Sequence, residues 1–408
     1  MKIDIPFALL SGEYMCSVAH IETNGVPIDH ELLLKLQSNW NDIKDQLIHD
    51  VDSDFGVFVD GVFKYSLFEQ YLSLAGIPWP RIASGKLDMS DDAFREMSKI
   101  YPQISPLREL RDSLSKMRLS MLTVGDDHRS RCLISPFSST TGRNQPSTSK
   151  FIFGSSTWLR GLIKPAAAHG IAYIDWSQQE FGVAAGLSRD PNMMAAYTSG
   201  DPYLSFAKQA GAVPQDATKE THKAEREQFK ACVLAVQYGM GEESLALRIN
   251  QPVARARQLL ALHRYTYRVF WEWSDRSFNE FVLGGRLWTN FGWQIKTGSI
   301  TNERSVRNFP MQAHGAEMLR IACILMTREG IKICAPIHDA VLIEAPLDQL
   351  DSVVKLAQEL MAEASRLVLY DFELKSDVKI ICYPDRFMDE RGKVMWNTVM
   401  PLIGEPLY

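Results

Sequence analysis

THKAEREQFKACVLAVQYG, residues 221–239, sets Arg226, Lys230, Leu234 and Tyr238 at every fourth position and closes on Gly239. A spacing of four returns to nearly the same side of a helix, and about twelve residues rise about 18 Å. The predicted stripe is therefore cationic where it begins and apolar, then aromatic, where it ends. A nucleoside triphosphate carries the same gradient. Free N–H groups and the macrodipole at a helix start favour anions, so two cations there suit a polyphosphate and leave the far end for sugar and base. Taken alone, the stretch also reads as an amphipathic surface helix with solvated cations and with Phe229, Val233, Val236 and Tyr238 packed inward. Partners elsewhere in the chain decide between the two.

On either side lie two apolar stretches that end in carboxylates. GIAYIDWSQQEF predicts a buried strand over Ile171 to Ile174 that delivers Asp175, with Glu180 at the start of a following helix. IKICAPIHDAVLIEAP predicts two apolar strands around His338 and Asp339, a hairpin with an acidic tip. Bringing two such carboxylates together is costly unless cations lie between them. Asp175 and Asp339 would suit a two-Mg²⁺ site, with substrate phosphates and water as the remaining ligands.

The rest of the chain frames these pieces. Residues 13–30 read as a segment with Gly25 and Pro27 as turn residues and Asp29 as a helix N-cap. Helices are expected over 31–51, over 66–75, from Ser90 and from Ser105, the last burying Leu107, Leu110, Leu114 and Met117. Its outer face would show Arg108, Arg111 and Arg118, either solvated or against phosphate. SPFSSTTGRNQPSTSKFIFGSSTW, rich in hydroxyls and carrying Arg143 and Lys150, reads as a connector or as a surface for a sugar-phosphate backbone. Residues 182–300 read as mostly helical, with a hairpin turning at Phe291 and Gly292. Arg304, Asn308 and Gln312 stand four apart, but Pro310 between them puts the helix start near Pro310. A helix over 348–366 and a strand near DVKIICY end an α+β lobe.

At 408 residues with 46% hydrophobic, the chain can bury a large multi-lobed core. Six scattered cysteines without a CxxC pair argue against a zinc site or a disulfide framework, and mostly buried, reduced thiols are expected. No signal core or membrane span is legible, so a cytoplasmic protein is expected. A net charge of −5 leaves any polyanion site to local clustering.

In order along the chain, these motifs resemble those of the family A DNA polymerases, the DNA polymerase I family, in their polymerase portion. The resemblance is carried by Thr141, Gly142 and Arg143; by Asp175, Trp176, Ser177, Gln178 and Glu180; by Arg226, Lys230, Tyr238 and Gly239; by Arg304, Asn308, Pro310 and Gln312; and by His338 and Asp339. It implies an α+β right-hand fold with a palm sheet, helical fingers and a helical thumb. Residues 1–25 would lead into the palm, 26–120 form the thumb, 121–181 carry the first palm strand, 182–300 form the fingers, and 301–408 complete the palm.

By the same resemblance, Asp175 and Asp339, with the Trp176 carbonyl, would bind two Mg²⁺ ions, which Mn²⁺ can replace. Lys230 would act on the phosphates and pyrophosphate, and Arg226 would grip the triphosphate tail. Glu180 would exclude a 2′-hydroxyl, and Tyr238 would sit by the templating base. Arg143, Arg304, Asn308, Gln312 and His338 would contact primer or template. The implied partners are primer-template DNA and deoxynucleotides, for a monomer that accessory replication or repair proteins can join.

The chain departs from the family pattern at three places. Leu234 replaces an aromatic residue at the sugar, Tyr203 in GDPY replaces a phosphate-binding His, and Ala340 replaces the Glu that commonly follows the third-motif Asp. Few residues precede the first thumb helix, so no proofreading exonuclease or 5′-nuclease domain is expected, and repair or gap filling is the favoured role. The rival readings are a single-subunit RNA polymerase or primase-like enzyme, opposed by Glu180, and a degenerate DNA-binding protein, opposed by the paired aspartates.

Overall fold

His169–Trp176 and Ala340–Pro346, both alternately or fully buried, pair at the centre of a four-stranded sheet. Its order is 376–382, 169–176, 340–346, 332–337. The computed structural model describes residues 5–116, 122–237, 239–298 and 302–407. They fold into two compact units, one of Met1–Asn24, Ile134–Gln145 and Ala168–Ile380, the other of Gly25–Leu133, Pro146–Ala167 and Ile381–Tyr408.

In the first unit, the central strands are antiparallel, with Ile174 opposite Val341 and Asp175 opposite Ala340. Lys332–Ile337 also runs antiparallel to 340–346, with Ile337 opposite Ala340. His338 and Asp339 are therefore a two-residue turn, and His338 has φ 54°. Tight hairpins favour positive φ because it matches strand twist. A residue with a β-carbon there stores strain of order 1 kcal/mol, which the buried strands on either side outweigh.

Leu350–Val368 packs on both central strands and buries Val354, Ala357, Met361, Ala364 and Val368 at helical spacing. Glu303–Arg328 packs against that helix and against the 332–337 strand. Its start corrects the expectation drawn from Pro310, which lies well inside the helix. Proline in a helix interior costs about 3 kcal/mol. This helix buries Phe309, Met311, Leu319, Ile321 and Ile324 among others, each contributing roughly 1.5–3 kcal/mol, so packing wins. The start is set by Asn302, whose side chain accepts from the Ser305 N–H at 2.8 Å.

The segment before residue 25 also differs from its reading. Ile5–Asn24 is a helix that buries Tyr14, Ser17, Val18 and Ile21 against the 332–337 strand and the 303–328 helix. Among the described residues, seven further helices follow the 169–176 strand: Gln179–Ser188, Pro191–Thr198, Pro202–Gln209, Lys223–Gln237, Glu242–Ile249, Val253–Thr266 and Arg268–Gly284. Arg286–Trp288 and Gln294–Lys296 form the expected hairpin, closed by a Thr289 N–H to Trp293 carbonyl bond of 2.8 Å.

In the second unit, Asp29 caps His30–Ser38 by accepting from the Leu32 N–H. The single helix expected over 31–51 is two, broken at Asn39 before Trp40–Asp52. Tyr65–Leu74, Asp91–Ile100 and Ser105–Lys116 follow around a cluster that includes Phe55, Phe68, Trp79 and Phe94. Leu107 and Leu110 are buried there and Leu114 is half-buried. Arg111 is not free on an outer face: its guanidinium lies 3.9 Å from the centre of the Phe94 ring. Met117 and Arg118 lie outside the described residues.

Cys232, Cys323 and Cys334 are buried, but Cys16 is exposed and Cys132 and Cys382 are partly so. No described helix is long and apolar enough to cross a membrane.

Candidate active site

Antiparallel register puts Asp175 beside the 338–339 turn, and the Trp176 N–H donates to the Asp339 carbonyl at 3.2 Å. Burial and then the charges of Asp339 and Asp377 push the Asp175 carboxyl up to about 6. Asp339 is raised as well, chiefly by burial, with its own backbone N–H, His338 and Arg143 opposing. Among the described residues neither aspartate has a Lys or Arg ion-pair partner, and no three His, Cys, Asp or Glu side chains form a ready cage. A carboxylate pair in which the Asp339 charge raises the Asp175 pKa fits a hard divalent cation, which typically takes one or two carboxylates and completes its shell with water and phosphate.

A cavity of about 420 Å³ opens against Asp339, its other lining residues including Arg143, Gln178, Gln179, Glu180, Tyr203, Leu234, Gln237 and His338, but not Asp175. Glu180, in the first turn of 179–188, faces Arg143 at 3.6 Å. Burial raises its pKa, Arg143 opposes that, and the Asp339 charge adds to it. The Arg143 Nε and the Gln237 Nε2 are buried atoms without a hydrogen-bond partner among the described residues. Donors left that way carry a desolvation cost that a ligand's acceptor oxygens would relieve.

Tyr203 links this cavity to the stripe. It is buried on the 202–209 helix, with the Arg226 guanidinium 5.5 Å and the Lys230 ammonium 5.8 Å from its ring centre. Asp201 caps that helix through the Leu204 N–H, and its other oxygen accepts from the Arg226 Nε at 2.6 Å. Phe229, Cys232 and Val233 pack inward on the opposite side of the stripe helix. The apolar side of that helix is core, and its two cations lie by one aromatic ring.

Not every expected residue reaches this cavity. Arg304 and Asn308 line a separate space of about 650 Å³ with Trp271, Arg264 and Arg307. Gly239, with φ 60°, packs there so closely that a β-carbon would lie 2.4 Å from the Arg304 Cγ. Gln312 is half-buried one turn beyond Asn308. Tyr238 lies outside the described residues.

Three residues were missed. Asp377, on the edge strand, accepts from the Ser177 hydroxyl at 2.6 Å and adds charge beside Asp175. Gln179 is buried against Gly315 with its Nε2 unpartnered among the described residues. Gln237 lines the cavity from the end of the stripe helix. Asp377 was visible in SDVKIIC as the one acidic residue in a strand; the two glutamines carried no local signal.

The profile of DNA polymerase family A matches residues 81–381. The chain belongs to DNA polymerase family A. DNA polymerase I of Aquifex aeolicus is 23% identical over 390 residues, covering 89% of this chain and 65% of that protein. The thermostable DNA polymerase I of Thermus aquaticus is 25% identical over 202 residues, 46% of this chain and 24% of that protein. The chain thus spans less than two thirds of these relatives. Among solved structures, the POL domain of Pol1 from M. smegmatis, in complex with DNA primer-template and dNTP, aligns with a TM-score of 0.72 and 20% identity. That alignment covers 91% of this chain and 69% of that one, and it shows the right-hand polymerase fold.

Proposed function

We propose that this chain is a template-dependent DNA polymerase that joins deoxynucleotides to a primer 3′-hydroxyl at the cavity beside Asp175 and Asp339. The observation that carries this reading is the approach of Asp175, at a strand end, to Asp339, in the adjoining turn, neither in a Lys or Arg ion pair among the described residues and Asp339 lining a cavity with Arg143, Glu180 and Tyr203. Family membership and the polymerase fold support it.

Asp175 and Asp339, with the Trp176 carbonyl, would hold two Mg²⁺ ions or Mn²⁺ in their place. Bound there, the ions would lower the pKa of the attacking hydroxyl and neutralise charge on the triphosphate. Lys230 and Arg226, 5.8 Å and 5.5 Å from the Tyr203 ring centre, would face that triphosphate, with Arg226 leaving Asp201 to do so. Glu180 would pack under the sugar beside Leu234 and leave no room for a 2′-hydroxyl. Arg143 and His338 would contact the primer end and Gln312, Asn308 and Arg304 the duplex, where minor-groove acceptors are nearly alike for every correct pair. The sheet would then be the palm, the helices after residue 182 the fingers, and residues 26–120 the thumb.

Extension of a labelled primer on a template with Mg²⁺, with deoxy- or ribonucleotides and beside Asp175→Ala, tests this. Templated extension with deoxynucleotides that the variant loses is the expected result. Extension with ribonucleotides alone would replace the reading with an RNA polymerase, and tight primer-template binding without extension would replace it with a binding protein.

A further inference from the structure

Arg143 lines the cavity from a short turn, in which the Ser139 N–H donates to the Arg143 carbonyl at 3.4 Å and the Ser139 and Thr141 hydroxyls lie 3.2 Å apart. The Gly142 N–H donates to the Ser139 carbonyl at 2.9 Å, and Gly142 has φ 73°. Further holds on the turn come from elsewhere in the first unit. The Arg320 Nη1 donates to the Gly142 carbonyl at 2.8 Å, and the Trp293 Nε1 donates to the Thr140 carbonyl at 2.9 Å. On the far side of Arg143, Asn144 and the Tyr14 hydroxyl exchange hydrogen bonds.

Arg320 is an expensive residue for that task. It is 4% exposed on the 303–328 helix, and its counter-ion Glu317 is 0% exposed and 3.8 Å away. Glu317 also accepts from the Thr289 hydroxyl, which ties it to the 286–296 hairpin that carries Trp293. Phe137 stacks on the Trp293 ring, and the Arg320 guanidinium lies 5.4 Å from the Phe137 ring centre. A β-carbon on Gly142 would come within 3.0 Å of Trp293 and 3.2 Å of the Arg320 Nη1, so indole and guanidinium form a close-fitting seat for the turn. A buried ion pair contributes little stability over apolar residues of the same size, whereas a fixed guanidinium gives a carbonyl a direction.

We propose that Arg320, held by Glu317 and assisted by Trp293, is a positioning residue for Arg143. It fixes the 139–144 turn so that the Arg143 guanidinium stays against Glu180. The inference rests on the proposed polymerase reading for what Arg143 contacts, but the hold on the turn stands without it.

Two measurements on Arg320→Gln test it, after circular dichroism has shown the variant folded. The first needs no activity: trypsin cuts after arginine, and release of the turn should speed cleavage after Arg143 by about tenfold or more relative to other sites. The second is a double-mutant cycle on single-nucleotide incorporation. Arg320→Gln should lower kcat/KM, and adding it to Arg143→Ala should change the rate by less than about twofold, because it acts through a side chain already gone.

Unchanged cleavage after Arg143, or full additivity of the two losses, would overturn the proposal. A wild-type chain that extends no primer defeats the polymerase reading and leaves the cleavage result to decide this one. If Arg320→Gln does not fold, Trp293→Phe removes the bond to Thr140 while keeping an aromatic ring in the seat. Faster cleavage after Arg143 in that variant supports the proposal and an unchanged rate overturns it.

Discussion

Two acidic centres of the first unit differ in kind, the fully buried Glu317 and the half-buried Asp175 beside Asp339. Glu317 is surrounded by groups that suit it: the Thr289 hydroxyl, backbone N–H groups of the hairpin turn, and Arg320. Asp175 has the opposite surroundings, with Asp339 and Asp377 as its charged neighbours. Burial raises both pKa values, to about 7 for Glu317 and about 6 for Asp175. The first centre is enclosed by protein groups, although its Oε2 has no hydrogen-bond partner among the described residues. The second carries an electrostatic penalty that a bound cation would relieve.

The largest effect that separates the two centres is on turnover. Asp339→Asn is expected to lower primer extension by about 10³-fold, since metal-borne charge stabilisation amounts to several kcal/mol. Primer-template affinity, measured alongside, should change little. Undiminished extension would remove the aspartates from the mechanism.

Next in size is an effect on sugar choice. Glu180→Ala opens the cavity floor beside Leu234, and ribonucleotide incorporation relative to deoxynucleotide should rise by about tenfold. An unchanged ratio would mean that Glu180 serves Arg143 alone.

A smaller effect, on stability, has a sign that distinguishes the centres. Between pH about 4 and about 6, folded Asp175 keeps a proton that the unfolded chain gives up, so metal-free stability falls as pH rises through that window and is level above it. Asp175→Asn should therefore melt higher than wild type at pH 7 without metal, by about 3 °C given its half-exposed position, and equally at pH 4. A variant that melts lower at pH 7 would show that the carboxylate is satisfied as folded. Smallest of all, Glu317→Gln at pH about 4.5 should shift the melting temperature by less than about 2 °C, because glutamine resembles the protonated acid held there. A large drop would show that Glu317 is ionised and that its pairing with Arg320 carries the fold.

The same contrast explains what the sequence disclosed. Asp175 and Asp339 were legible because each interrupts an apolar run, and an uncompensated charge at a strand end is a local signal. The stripe of Arg226, Lys230 and Leu234 was legible because helical spacing is local too. The Glu317–Arg320 pair was not, since its partners Thr289, Gly142 and Trp293 come from remote segments and nothing near residue 317 predicts them. Pro310 misled for a related reason: its cost is local, and the packing that outweighs it is not. Asp201 as the partner of Arg226 and Asp377 as the neighbour of Asp175 likewise depend on tertiary approach.

The most direct test of the strand-tip pair as a cation seat is Mn²⁺ uptake followed by electron paramagnetic resonance. It would be read in the presence of a dideoxy-terminated primer-template and the matching deoxynucleotide, with wild type, Asp339→Asn and Glu317→Gln compared. The expected result is Mn²⁺ binding by wild type and Glu317→Gln alike, weakened at least about tenfold in Asp339→Asn. Equal uptake by all three proteins would contradict it.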